Sequence, residues 1–179
     1  GGHVDGLFEA VAALQSFSKP LKGVVENTAA SAAYALVTQS DEVVALNRAA
    51  RVGSVGIVAT MYVDESEIQV TSTNAPKKRP NPTTEEGLAT IREELDALHD
   101  LFVDAIATGR NTTVDKVNAE FGQGATLLAE QAIKHGMIDA IAEPKLRVVR
   151  SAKPPTTANG GIKPETGPMN LNELKAQHP

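Results

Sequence analysis

Val4, Leu7, Phe8, Val11 and Leu14 recur at intervals of three and four, which puts one apolar stripe along a helix, and Lys19-Pro20 closes that segment. Gly23-Val24-Val25 is a short apolar run with β-branched residues. Ala29 to Leu36 is a small-residue stretch of high helix propensity, and Glu42 to Leu46 is strand-like again. A β-rich run from Ser54 to Tyr62 and the alternation from Glu67 to Thr73 predict two further strands, the second half-exposed. The prolines between Asn74 and Pro82 predict a loop, and Thr83 or Thr84 before Glu85-Glu86 predicts a helix start. Leu88, Ile91, Leu95, Leu98, Phe102 and Ile106 then form a sustained stripe. Glu93, Glu94, Asp96 and Asp100 occupy the other faces as a solvated acidic surface, and Gly109 supplies the stop. Thr113 to Phe121 and Ala125 to His135 predict two shorter helices around Gly122-Gln123-Gly124, with Met137 to Ile141 as a closing strand or turn. Alternating strands and helices predict an α/β layer fold.

The chain has 179 residues, 41% of them hydrophobic, enough for one sizeable core. The packed domain is expected to span 1–142. From Glu143 to Pro168 five of the ten prolines gather with Gly160-Gly161 and little apolar periodicity, which predicts a flexible linker. Residues 169–179 regain a helical pattern, so the expectation is a folded domain followed by a disordered C-terminal tail. No apolar run approaches the roughly 18 residues that span a bilayer, and no basic-then-apolar leader opens the chain, so a soluble form without membrane or secretory segment is expected. The start at Gly1 without methionine suggests a processed product or a fragment. Absence of cysteine excludes disulfides, thiol nucleophiles and thiolate metal sites, and fits a cytosolic compartment. A net charge of −5 with 3% aromatics argues against a duplex-binding surface or a base-stacking platform, so nucleic acid is not expected as a partner. The histidines and acids lack ligand-like clustering, and no metal site is expected.

The chemistry-bearing candidate is Ser31, set among residues too small to hinder a backbone, Ala29-Ala30-Ser31-Ala32-Ala33-Tyr34. Just after a strand and at a helix start, its neighbouring amides could stabilise an oxyanion. A capping or packing serine would look the same. A serine nucleophile needs a base, and His3, His99, His135 and His178 are the only histidines. None lies in a β-rich or loop segment soon after Ser31, which leaves a Ser-His-Asp triad unsupported. The other documented base is a lysine desolvated until its pKa falls from about 10.4 toward roughly 7 to 8. Lys77, after an extended segment and in a proline-braced loop, is the candidate. Its alternative is membership of a basic surface cluster with Lys78 and Arg79.

In combination these words resemble the signal peptide peptidase A-like serine peptidases. The matching blocks are Gly1-Gly2-His3-Val4-Asp5-Gly6, Thr28 to Tyr34, Gly53-Ser54-Val55-Gly56, Lys77, and the Thr84-Glu85-Glu86 helix start; Gln123 to Asp139 resembles the family's closing pattern of Gly, Ala, Gly and Asp. Within that family the likeness is greatest to phage head-maturation (prohead) proteases, whose helix end is echoed by Phe102 to Arg110. The resemblance implies a Clp-protease/crotonase-like layered fold and a Ser/Lys dyad, with no cofactor. Ser31 matches the nucleophile, Lys77 the general base and Ser54 the serine that holds the lysine amine. Gly2 and the amide of Ala32 match the oxyanion hole.

Two departures stand out. Lys78 replaces the acidic or small residue that often follows the base, so Lys78 is an alternative base. The family begins with β-strands before its Gly-Gly turn and this chain starts at the turn, so a partial peptidase domain with missing N-terminal strands, exposed apolar edges and an incomplete oxyanion hole is expected. Residues 169–179, Met169 to Pro179, are similar to the opening of the scaffold that tailed phages encode in frame behind the head protease; a frayed C-terminal helix is the plainer alternative. The resulting expectation is a serine endopeptidase that cleaves scaffold and capsid proteins in the assembling prohead in the host cytoplasm. The protein is expected to be a homo-oligomer, without membrane or nucleic-acid partners. A cellular signal-peptide-degrading peptidase and a non-catalytic capsid-assembly module are the alternatives.

Overall fold

The computed structural model describes residues 1–63 and 66–142. The expected linker, 143–168, and the scaffold-like segment, 169–179, lie outside the described residues. Helix α1, Leu7–Gln15, buries Leu7 and Val11 from the predicted stripe. Strand β1, Lys22–Val25, alternates exposed and buried positions and leads to β2, Thr28–Ala30, which runs directly into α2, Ala32–Val37. Strand β3, Glu42–Ala45, and β4, Arg51–Gly53, complete the first half. The second half holds a 3-10 turn at Pro76–Lys78, then α3, Glu85–Gly109, α4, Val114–Glu120, β5, Thr126–Leu128, α5, Ala129–His135, and β6, Ala140–Ile141.

The strands form two small sheets. One has the order β1-β3-β6, parallel throughout, with Val24 opposite Val44 and Val44 opposite Ala140. The other has the order β2-β4-β5, with β2 parallel and β5 antiparallel to β4. Parallel pairs joined through α2 are the βαβ logic that the alternation in the sequence predicts. Edge strand β1 pairs on one side only, and Val24 beside it is 48% exposed. The core lies among Tyr34, Val43, Val52, Phe102, Ile106 and Phe121, each at most 1% exposed. Tyr34 and Phe121 meet edge to face, 6.5 Å between ring centroids.

Several sequence expectations need correction. Ala29-Ala30 is strand, not helix, because pairing with Val52-Gly53 outweighs the weak helical preference of alanine. Likewise 126–128 pair with β4 before α5 begins. The predicted strands at 54–62 and 67–73 do not form: β4 ends at Gly53, the next strand begins at Thr126, and Ile68 and Val70 stand 89% and 90% exposed. Their β-branched residues meet no ladder partner among the described residues, and a strand without a partner does not persist in water. The long helix starts where expected, with the Thr84 hydroxyl accepting from the Gly87 amide at 3.1 Å. Its stripe is fully buried only in the C-terminal half, at Phe102 and Ile106. Leu88 is 42% exposed, and Ile91, Leu95 and Leu98 are half-buried.

Candidate active site

The end of β2 and the start of α2 meet at Ser31, whose φ of 55° and ψ of −129° no ordinary L-residue adopts without strain. The surrounding hydrogen bonds hold it there. Its amide donates to the Gly53 carbonyl at 2.8 Å, and its own carbonyl accepts from the Tyr34 amide at 2.8 Å and the Ala35 amide at 3.1 Å. As the residue before a helix it would normally spend its hydroxyl on a cap, yet the Oγ makes no cap hydrogen bond. A sharp strand-to-helix corner that lifts a serine hydroxyl clear of the backbone is the local geometry of a nucleophile.

Gly1 and Gly2 lie over this corner. A Cβ built on Gly1 would stand 3.4 Å from the Ser31 Cβ and 3.7 Å from its Oγ, and one on Gly2 would stand 3.6 Å from the Ala32 Cβ. The two amides expected to form an oxyanion hole, those of Gly2 and Ala32, therefore belong to backbone segments in contact. Around Ser31 opens a cleft of about 370 Å³, mostly apolar, with Val4, Ile57, Met61, Ile91 and Leu95 in its walls. The half-buried stripe of α3 thus lines the cleft instead of the core. A second cleft of about 490 Å³ adjoins it across Gly56, Ile57 and Leu95 and is faced by Arg92, Asp96 and His99.

Sequence reasoning passed over two residues that line the Ser31 cleft, His3 and Glu94. His3 was legible only in hindsight of the chain folding Gly1-Gly2 back over Ser31. Glu94 lay within a run of acids that reads as a solvated face.

Lys77 is placed elsewhere. It sits in the 3-10 turn with its side chain 70% exposed, and its Nζ donates to Glu93 Oε2 on α3 at 3.2 Å. It is not among the residues lining the Ser31 cleft. In this arrangement the amine is solvated and ion-paired, not buried and poised against the hydroxyl as expected. Lys78 is exposed on the same turn. Ser54 follows Gly53 with φ 51°, and its amide donates to the Ala125 carbonyl at 2.9 Å. It therefore joins the Ser31 corner through the backbone of β4 and makes no hydrogen bond to Lys77. Gly53 itself has φ 115°, and a Cβ there would stand 2.9 Å from the Ala125 carbonyl oxygen, so glycine is required.

Behind the corner, Arg110 and Asp139 form a two-pronged ion pair, Nη2 to Oδ1 at 2.6 Å and Nη1 to Oδ2 at 3.0 Å. The Arg110 side chain is only 8% exposed. Its hydrogen bond holds the Asp139 carboxyl below the usual carboxylate range against the opposing effect of burial, and the Val43 amide, at 2.7 Å, adds to that lowering. The Tyr34 hydroxyl is pushed well above its ordinary pKa by burial and stays neutral. Among the described residues no group of three His, Asp or Glu side chains could hold a metal ion, and no helix is long and apolar enough to cross a membrane.

In fold the chain is similar to a mutant of the membrane-bound stomatin-specific protease 1510-N, with a TM-score of 0.55 at 15% identity. The match covers 79% of this chain, which spans 59% of the length of that one. A family model matches residues 13–153, taking in Ser31, Ser54, Lys77 and the closing Asp139. On that match the chain belongs to peptidase family S49.

Proposed function

We propose that the protein is a serine endopeptidase in which Ser31 is the nucleophile, Lys77 the general base and Ser54 the residue that orients the lysine amine. The observation that carries this reading is the Ser31 corner: a strained strand-to-helix turn whose hydroxyl is free of capping and faces a cleft. In the reaction, Lys77 Nζ takes the Ser31 proton as Oγ bonds to a peptide carbonyl carbon. The carbonyl oxygen gains charge beside the amides of Gly2 and Ala32, the amine leaves with the proton, and water then releases the acyl group. For this Lys77 must leave Glu93. Breaking an exposed ion pair of that kind costs only about 0–1 kcal/mol, and the amine must also shed its proton to solvent as it is desolvated beside Ser31 before it can act as a base. The apolar cleft walls favour an apolar side chain next to the cleaved bond.

One observation favours a second base. His3 lines the cleft that Lys77 does not reach, and an imidazole there could take the proton instead. Replacing each base separately decides between them.

The finer reading, cleavage of scaffold and capsid proteins during phage head maturation by a homo-oligomer in the host cytoplasm, rests on the wording of Phe102 to Arg110 and Met169 to Pro179. The experiment labels one sample of the protein with a fluorophosphonate and incubates a separate, unlabelled sample with phage scaffold protein, a signal peptide and casein. Wild type is expected to label at Ser31 and to cleave scaffold first, and Ser31→Ala to do neither. Unchanged cleavage by Ser31→Ala would remove the reading. Preference for the signal peptide would move it to the cellular alternative, and absence of label would leave an assembly module.

A further inference from the structure

We infer that the closing turn Gly136–Asp139 sets the position of Ser31, with Tyr34 and Met137 as its two positioning residues. This rests on Ser31 being the nucleophile for its catalytic consequence, but not for its geometry. The hydrogen bond from the Ser31 amide to the Gly53 carbonyl joins two segments that carry strained non-glycine backbone, at Ser31 with φ 55° and at Ser54, next to Gly53, with φ 51°. Such conformations persist only where the surroundings over-determine them. One buried residue touches both segments.

Met137 is fully buried. Its Cε packs against Gly53, 3.2 Å from where a Cβ would sit, and its carbonyl accepts the hydroxyl of Tyr34 at 2.9 Å. Tyr34 is also fully buried and stands in the first turn of α2, where its amide donates to the Ser31 carbonyl. The methionine side chain therefore presses on the acceptor of the Ser31 bond, while its carbonyl fixes the helix that carries the donor. Neither residue lines the Ser31 cleft. The turn that presents Met137 is itself pinned. Arg110 Nε donates to the Gly136 carbonyl at 3.0 Å, its guanidinium holds Asp139, and the Asp139 amide donates to the Val43 carbonyl at 2.8 Å. A run of hydrogen bonds and packing thus leads from the end of the fold to the nucleophile.

The test combines two readouts on the intact chain, for Tyr34→Phe, which deletes one oxygen, and Met137→Leu, which keeps volume. In the first, hydrogen exchange of the Ser31 amide is compared with that of Ile106 in α3, which reports general loosening. The expected result is acceleration at Ser31 by about 10-fold beyond any change at Ile106. In the second, the rate of fluorophosphonate labelling and peptide kcat fall about 10-fold with KM unchanged, since a small displacement of a nucleophile costs rate far more than binding. If Tyr34→Phe does not fold, Met137→Leu carries both readouts alone. Equal acceleration at Ser31 and Ile106, or labelling at the wild-type rate, would overturn the inference and leave the two residues as ordinary core. If wild-type Ser31 never labels, the peptidase reading fails, and the exchange result still decides the positioning.

Discussion

The Ser31 corner and the Lys77 turn are held in opposite ways. Ser31 sits in strained backbone that three hydrogen bonds and the β2-β4-β5 sheet enforce. Lys77 rests on one exposed ion pair, after a segment in which residues 54–63 and 66–75 form no strand or helix. A nucleophile has to be placed before substrate arrives, because its angle of attack decides the rate. A base that only moves a proton can arrive with the substrate, provided little holds it elsewhere. In the proposed dyad the difference puts one half in the fold and leaves the other to be recruited.

The largest expected effect breaks the comparison at its loose end. Lys77→Met should lower kcat/KM about 10³-fold while moving the melting temperature by no more than a degree or so, because the removed side chain is solvated. If His3→Asn causes that loss and Lys77→Met does not, the base is the histidine. Gly53→Ala attacks the rigid end. Its Cβ meets the Ala125 carbonyl at 2.9 Å in a conformation alanine resists, so a stability loss of about 3 kcal/mol and loss of labelling are expected in denaturant titration and fluorophosphonate assays.

Asp139→Asn should cost about 2 kcal/mol at neutral pH by leaving the buried Arg110 guanidinium without its charge partner. The sign of its pH dependence follows from the lowered carboxyl. The native state binds the proton more weakly than the unfolded chain, so the contribution is fully present above the unfolded value near 4. It fades as pH falls through the lower folded value. Unfolding curves of wild type and variant should therefore converge on acidification below about pH 4 and stay parallel from pH 6 to 8. The smallest effect is Glu93→Gln, expected to change stability by less than about 0.5 kcal/mol and to raise kcat up to about 2-fold by freeing Lys77, most clearly at low salt.

Much of the scaffold was legible. The 3.6-residue stripe and the Thr84 cap locate α3 to within a residue, and the apolar run at Glu42 to Leu46 locates β3, because in both the local pattern and the tertiary contacts agree. Where they disagree the reading fails. Ala29-Ala30 carries a helical preference that ladder pairing overrides, and Ser54 to Tyr62 carries a β preference that nothing pairs with. The site divides along the same line. Ser31 stands out by its small neighbours and Ser54 only by family wording, but their positive-φ backbone is imposed from outside the segment. No propensity encodes it. That His3 lines the cleft depends on the fold-back of Gly1-Gly2, a long-range contact without a periodic signal.

Helix α3 has 25 residues, roughly 37 Å of rod at 1.5 Å each; Gly87 is buried near its start, but its large side chains are buried only from Phe102 onward. Its N-terminal portion has the proportions of a lever arm. Between Phe102 and Glu85 it reaches roughly 25 Å, so a swing of about 5° at the anchored end displaces the tip by about 2 Å, comparable to the difference in girth between a small and a bulky peptide side chain. Ile91 and Leu95 ride on that arm and line the cleft with Ser31, so a swing of that size would change the width of the cleft.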